Sequence, residues 1–277
     1  MTTSGGLAGG RGGPVPRALP ATIQISGGLR QSINVAPRTR WSVRDQGQRG
    51  TCVAFAMSAV RECRAPALTR LSEQFAYWSA KTSALDQAPQ QDGTLLECVV
   101  DGLGSHGVCE ASRWRYSPNV IAGDVTHGTP SRAAIRDALG RQCAPWLLVH
   151  RQAQSGWATK LLSQLVKTQR PVAITLPVFE DPTTGNNNWN TAVGWSEGKV
   201  FNPLPGTSVQ HGGHAVCVTG FEPDPNEPVG GYFIVRNSWG AAWGRSTAVN
   251  AHGFSTPSGY GYVGASYVDL YAWELAQ

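Results

Sequence analysis

Asp45-Gln46-Gly47-Gln48-Arg49-Gly50-Thr51-Cys52-Val53-Ala54-Phe55-Ala56 is the stretch around which this 277-residue chain is organised. A polar loop, punctuated by Gly47 and Gly50 so that the backbone can turn tightly, runs into a helix whose first turn carries a cysteine. Thr51 is the expected cap, and Val53, Ala56, Met57, Val60 and Cys63 recur at helical spacing, so one face is apolar until Pro66 ends the helix. A thiol at a helix N-terminus has its thiolate favoured by the macrodipole, which makes Cys52 a candidate nucleophile. A lone cysteine is more often a buried structural thiol. What tips the balance lies far downstream.

His211-Gly212-Gly213-His214-Ala215-Val216 enters one strand, and Tyr232-Phe233-Ile234-Val235-Arg236-Asn237-Ser238-Trp239-Gly240 forms the next. A thiolate nucleophile needs an imidazole to hold its proton, and the imidazole needs a third group to orient its ring. Adjacent antiparallel strands would set His214 beside Asn237, whose side-chain oxygen can accept from the ring N–H. His211 and His214 at i, i+3 offer a metal pair, but no third ligand cluster accompanies them, so no metal is expected. His106, His127, His150 and His252 sit in loop or turn text and are expected to be solvated.

The three motifs DQGQRGTCVAFA, GGHAVCVTGF and FIVRNSWGAAWG, in that order, resemble the papain-like cysteine peptidases, and most of all their compact bacterial branch. The resemblance runs from about Leu29 to the C-terminus. It implies an α+β, two-lobed papain-like fold: a helical lobe over 41–145 with Gln46 and Cys52, and a β-rich, barrel-like lobe over 146–277 with His214 and Asn237. The active site would lie in the cleft between them. The resemblance makes Cys52 the nucleophile, His214 the general acid/base, Asn237 the residue orienting the ring, and Gln46 an oxyanion-hole donor beside the backbone N–H of Cys52. Trp239 matches the tryptophan that covers the Asn–His hydrogen bond. Gly212 and Gly213 match positions lining the pocket for the second residue upstream of the cut, where two glycines would leave room for a bulky apolar side chain. The family's half-cystine three residues before the nucleophile is Arg49 here, its usual tryptophan after the nucleophile is Val53, and Arg245 to Ser258 is an insertion.

The implied reaction is hydrolysis of a polypeptide substrate through an acyl-enzyme, with no cofactor. Residues 1–40 are too short and too glycine-rich for the long helical propeptide of such zymogens, so either control comes from a partner, an inhibitor protein or compartment, such as an immunity protein to a bacterial effector or toxin, or the prosegment is not part of this chain. The alternatives are a transpeptidase or ligase using the same acyl-enzyme, and a non-catalytic binding module that keeps the fold.

The remainder of the chain sets bounds on this reading. With 41% hydrophobic and 15% charged residues it can bury a full core. Residues 1–40 hold five arginines and no acid, leaving 18 of the 23 basic residues against 18 acidic ones. The net charge of +5 therefore belongs to residues 1–40, and a neutral body argues against nucleic acid as a partner. Residues 1–20 read as a disordered Gly/Pro-rich arm and 21–40 as an extended segment with strand text at Thr22–Ile25 and Ile33–Val35. No apolar run is long enough to span a membrane and no secretory signal is visible, so a cytoplasmic location, or export by a route independent of a signal peptide, is expected. Six cysteines (52, 63, 98, 109, 143 and 217) show neither a CxxC pair nor zinc spacing and are expected to be mostly reduced; Cys63, Cys98 and Cys217 read as core thiols.

Ser72 reads as an N-cap, Leu95 to Leu103 as a helix, Pro130 to Ala134 as a short helix, and Lys160 to Val166 as an amphipathic one. Trp146–Val149, Val172–Leu176, His214–Gly220, Gly231–Arg236 and Gly259–Val263 read as strands, with an Asn/Gly-rich loop from Thr183 to Asn190.

Overall fold

The computed structural model describes residues 32–36, 42–63, 69–142, 147–150, 156–204, 206–245 and 256–277. The arm at 1–20, the strand text at Thr22–Ile25, Pro66, Cys143, His252 and residues 246–255 of the insertion lie outside the described residues, as does the side chain of His211.

Helices dominate the first half. A short strand β1 (Ile33–Asn34) is followed by α1 (Cys52–Glu62), α2 (Glu73–Lys81), α3 (Leu96–His106) and α4 (Arg132–Leu139). The caps follow side-chain chemistry: Ser72 Oγ accepts from Phe75 N at 3.0 Å, and Ser131 Oγ accepts from Ala134 N at 3.2 Å. Thr51 precedes α1 without capping it, because its hydroxyl pairs with Tyr116 Oη at 2.7 Å. Every residue of α1 except Arg61 is buried, rather than a single face. Small residues at Ala54, Ser58 and Ala59 let neighbours close on all sides of a central helix.

The second half supplies β2 (Leu148–His150), α5 (Trp157–Thr168), β3 (Val172–Glu180), α6 (Ala192–Glu197), β4 (Lys199–Val200), β5 (Ser208–Pro223), β6 (Gly231–Arg236), β7 (Tyr260–Gly264), α7 (Ala265–Tyr271) and β8 (Glu274–Ala276). The strands form one sheet in the order β2-β8-β3-β5-β6-β7-β4, with β1 also on β5. All pairings are antiparallel except β4 with β7. The sheet is open, with β2 and β4 as its ends, where a barrel-like lobe was expected. β5 is its spine, pairing Ile174 with Val216 on one side and Arg236 with Cys217 on the other.

One core lies over the sheet, where α5 and α7 bury Leu161, Leu165 and Val268 against Ile174, Val216 and Val218. A second core joins the two halves: Cys52, Ala56 and Ala59 of α1 pack with Ala173 of β3, Ala215 and Cys217 of β5, and Ala276 of β8. This seam is made of small side chains, so helix and sheet approach closely. Below it, Arg44 bonds Glu62 at 2.6 Å, Glu73, and the carbonyl of Leu71 at 2.8 Å, while Leu71 N donates to Glu62 at 3.0 Å. Burial pushes Glu73 up to about 7, with Arg44 pulling the other way.

Gly198, at the α6–β4 junction, has φ +76°, and a Cβ there would sit 2.5 Å from the carbonyl oxygen of Tyr260. Gly198→Ala combines a left-handed conformation with a backbone clash, and we expect urea denaturation to show a loss of about 2 kcal/mol or more. A loss under about 0.5 kcal/mol, the range of ordinary surface substitutions, would show that this junction yields without cost.

Candidate active site

The loop expected to turn at its glycines does so. Gly47 has φ +62°, and a Cβ on it would meet Pro118 at 2.7 Å, so only glycine fits both the turn and its packing. The loop is tied to the segment after β6 by an antiparallel bridge between Asp45 and Trp239. Gln46 N donates to Ser238 O at 2.8 Å, and Gly240 N donates to Arg44 O at 3.0 Å. Cys52 then opens α1, where the first backbone N–H groups and the helix dipole place positive potential at the sulfur.

Five of the residues singled out from the sequence come together: Cys52, His214, Asn237, Gln46 and Trp239. Ala215 N, next to His214 in β5, lies 3.4 Å from Cys52 Sγ. His214 Nε2 lies 2.7 Å from Asn237 Oδ1, which also accepts from Ser238 N at 2.8 Å. A backbone N–H can only donate, so the Asn237 oxygen faces both partners, and Nε2 of a neutral His214 must carry the proton. The other ring nitrogen, Nδ1, is buried and has no hydrogen-bond partner among the described residues. Cys52, His214 and Gln46 have no exposed surface. Burial lowers His214 to about 4, with the Asn237 bond opposing it.

The Gln46 amide is held at both ends. Oε1 accepts from Ser238 Oγ at 2.5 Å, and Nε2 donates to the carbonyl of Arg49 at 2.7 Å. The Arg49 carbonyl cannot donate, which identifies the nitrogen end. Tyr116 Oη donates to the Gln46 carbonyl at 2.8 Å. Trp239 lies over the His214 ring, centroids 4.8 Å apart and planes 35° from parallel. Trp189 meets the same ring edge-on at 5.1 Å and is wholly buried. Two aromatic rings thus keep water from the His214–Asn237 bond, which strengthens it.

Ser238 and Trp189 were not anticipated. Ser238 sits inside the NSWG motif, and its donor role to Gln46 needs tertiary proximity. Trp189 lies in the Asn/Gly-rich loop, where its size was the only available signal. A Cβ on Gly213 would lie 2.3 Å from Trp273 Cζ3 and 2.5 Å from Leu176 O, so the Trp273 indole packs directly on this glycine.

The remaining titratable groups fall elsewhere. Cys63, Cys98, Cys109 and Cys217 are free thiols raised by burial, Cys63 to about 12 and Cys109 to about 11. His150 is not in a loop but in β2, with Nδ1 3.1 Å from Glu274 and Nε2 3.6 Å from Glu97, a carboxylate facing each nitrogen. His106 packs on Trp78 at 5.3 Å, and His127 is half-buried rather than solvated. No helix among the described residues is long and apolar enough to cross a membrane.

The family model for papain family cysteine proteases matches residues 31–252. Solved structures with the same fold include xylellain, a cysteine protease from Xylella fastidiosa (18% identity, TM-score 0.66, covering 100% of this chain and 97% of that one). Digestive procathepsin L 3 of the Tenebrio molitor larval midgut is similar at 19% identity and TM-score 0.57, over 95% of this chain and 75% of its own. Bromelain from Ananas comosus, in complex with the E64 inhibitor, is similar at 20% identity and TM-score 0.53, over 89% and 98%.

Because His214 is held below its ordinary value near 6.5, the unfolded chain takes up a proton that the folded chain refuses. Its contribution to stability is whole above pH 6.5 and is lost as pH falls towards 4, with a slope approaching about 1.4 kcal/mol per pH unit. On a Cys52→Ala background, which leaves no thiolate facing the ring, we expect thermal midpoints to fall more steeply across this window with His214 than with His214→Gln. Parallel curves would show that the ring is not held neutral by the fold.

Proposed function

Because the chain belongs to the papain family of cysteine proteases, we propose that it hydrolyses peptide bonds through an acyl-enzyme on Cys52, with His214, Asn237 and Gln46 in the roles their positions suggest. The observation that carries the reading is the His214 Nε2–Asn237 Oδ1 bond at 2.7 Å, formed one residue from the amide that touches Cys52 Sγ. With Nε2–H committed to Asn237, Nδ1 is the lone pair that can take the thiol proton. A buried imidazolium is costly alone, so the proton moves as the sulfur becomes negative beside it, and both charges form as a pair.

Cys52 Sγ then attacks the substrate carbonyl carbon. The negative charge that develops on oxygen is received by Gln46 Nε2–H and the backbone N–H of Cys52. The bond from Nε2 to Arg49 O fixes the direction of this amide. One donor fixed in such a site is worth about 3 kcal/mol in the transition state. Collapse of the tetrahedral intermediate breaks the C–N bond, and the His214 proton goes to the departing amine. Water that gives its proton to His214 attacks the thioester and releases the acid, restoring the thiol. Throughout, Asn237 keeps the ring in one plane and one tautomer.

Wild-type protein should be alkylated once, at Cys52, by an epoxysuccinyl peptide, and Cys52→Ala should lose both labelling and proteolysis. Gln46→Ala should lower kcat about 100- to 1000-fold with a smaller change in KM. Product masses with an added amine nucleophile distinguish hydrolysis from transpeptidation. Proteolysis that survives Cys52→Ala, or labelling at another thiol, overturns the assignment.

A further inference from the structure

Arg49 stands where the family resemblance places a half-cystine, and it is 1% exposed. Its guanidinium donates to Gln74 Oε1 at 2.8 Å, to the carbonyl of Ser117 at 2.8 Å and to the carbonyl of Val125 at 2.8 Å. It also lies over two rings, 5.3 Å from the Tyr77 centroid and 4.9 Å from that of Tyr116. All three acceptors are uncharged, so the buried cation is held by fork geometry and ring faces rather than by these groups' charge. Burying a charge in this way is expensive, and a loop that only needed to fold would do better with an apolar residue.

What the cost obtains is a fixed backbone. The Arg49 carbonyl accepts from Gln46 Nε2 at 2.7 Å and from Thr51 N at 2.9 Å. The other end of the Gln46 amide is held by Ser238, across the seam. Arg49 is therefore the helical-side anchor of an amide whose opposite anchor lies on the sheet side. Tyr116 belongs to the same clamp, touching the guanidinium, the Gln46 carbonyl and the Thr51 hydroxyl.

We propose that Arg49 is a positioning residue for the oxyanion hole: its side chain locks the carbonyl that sets the direction of the Gln46 N–H, doing without a covalent bond what a disulfide would do at this place. The inference rests on the oxyanion reading of Gln46. Displacing a reacting group by about 1 Å can cost about 100-fold in rate, so a loosened Arg49 carbonyl acts on kcat more than on KM.

The test compares Arg49→Lys, Gln74→Met and Gln46→Ala, using the best peptidyl-aminocoumarin found for the wild type and the aldehyde of the same peptide. Iodoacetamide alkylation of Cys52 serves as the control, because that displacement forms no oxyanion. Arg49→Lys keeps the charge and loses the fork; it should lower kcat by about 10- to 100-fold, change KM less than about 3-fold, weaken the aldehyde in step with kcat, and leave the alkylation rate within about 2-fold. Gln74→Met removes one acceptor and should shift kcat and aldehyde affinity the same way by a few-fold, which keeps the proposal open to refutation if Arg49→Lys does not fold. Adding Gln46→Ala to Arg49→Lys should cost little more than Gln46→Ala alone. Unchanged kcat in both Arg49→Lys and Gln74→Met, with Gln46→Ala strongly impaired, overturns the role of Arg49 and leaves that of Gln46 standing. Alkylation falling in parallel with kcat overturns it in favour of a general loss of loop structure. An unimpaired Gln46→Ala removes the oxyanion reading, and the role of Arg49 falls with it.

Discussion

A sulfur on a helix and an imidazole on a strand, 162 positions apart in the chain, have to be held at one separation, and the rest of the molecule follows from that demand. The contact that reports it is the bond from Ala215 N to Cys52 Sγ at 3.4 Å. α1 can reach β5 so closely only because it is buried nearly all round, and β5 can receive it only because it is the spine of the sheet, held by β3 on one side and β6 on the other. A buried strand with partners on both edges has little freedom to shift its register. The position of the imidazole is thus inherited from the sheet, and that of the sulfur from the helix core.

The second constraint is orientation. Asn237 follows β6 directly, and its oxygen is fixed by the Ser238 N–H before His214 is considered at all. Ser238 then reaches the other way, to Gln46, with its hydroxyl and its carbonyl. One residue therefore couples the Asn237 amide beside the imidazole to the Gln46 amide beside the helix, so the two sides of the site share a support. The walls are aromatic: Trp189 and Trp239 surround the imidazole, and Trp195 stacks on Trp239 with planes 21° apart. Each adds rigidity and excludes water without adding a competing hydrogen-bond donor to the ring.

Much of this was legible in the sequence because it depends on local pattern. The helix start at Ser72, the strand Gly231–Arg236, and the turn at Gly47 are set by side chains acting within a few residues. The four groups of the site were legible because three ordered motifs carry them. The parts that escaped depend on partners distant in sequence. Thr51 looks like a cap, but Tyr116 takes its hydroxyl. α7 and β8 were not foreseen, since a strand of three residues is defined by its pairing with β2 and β3 and not by its composition. His150 read as loop because the two carboxylates that face it come from α3 and β8.

The seam between α1 and the sheet is built from alanines and two cysteines, and none of these alanines carries a functional group. Their contribution is radius. A methyl group added at Ala56, Ala59, Ala173 or Ala215 would act as a spacer between helix and sheet, leaving every polar atom of the site intact but farther from its partner. Over evolutionary time such positions would drift less than their chemistry suggests. A map of inactivating changes would then trace a line of the smallest side chains through the middle of the molecule, alongside the few residues that touch the bond being cut.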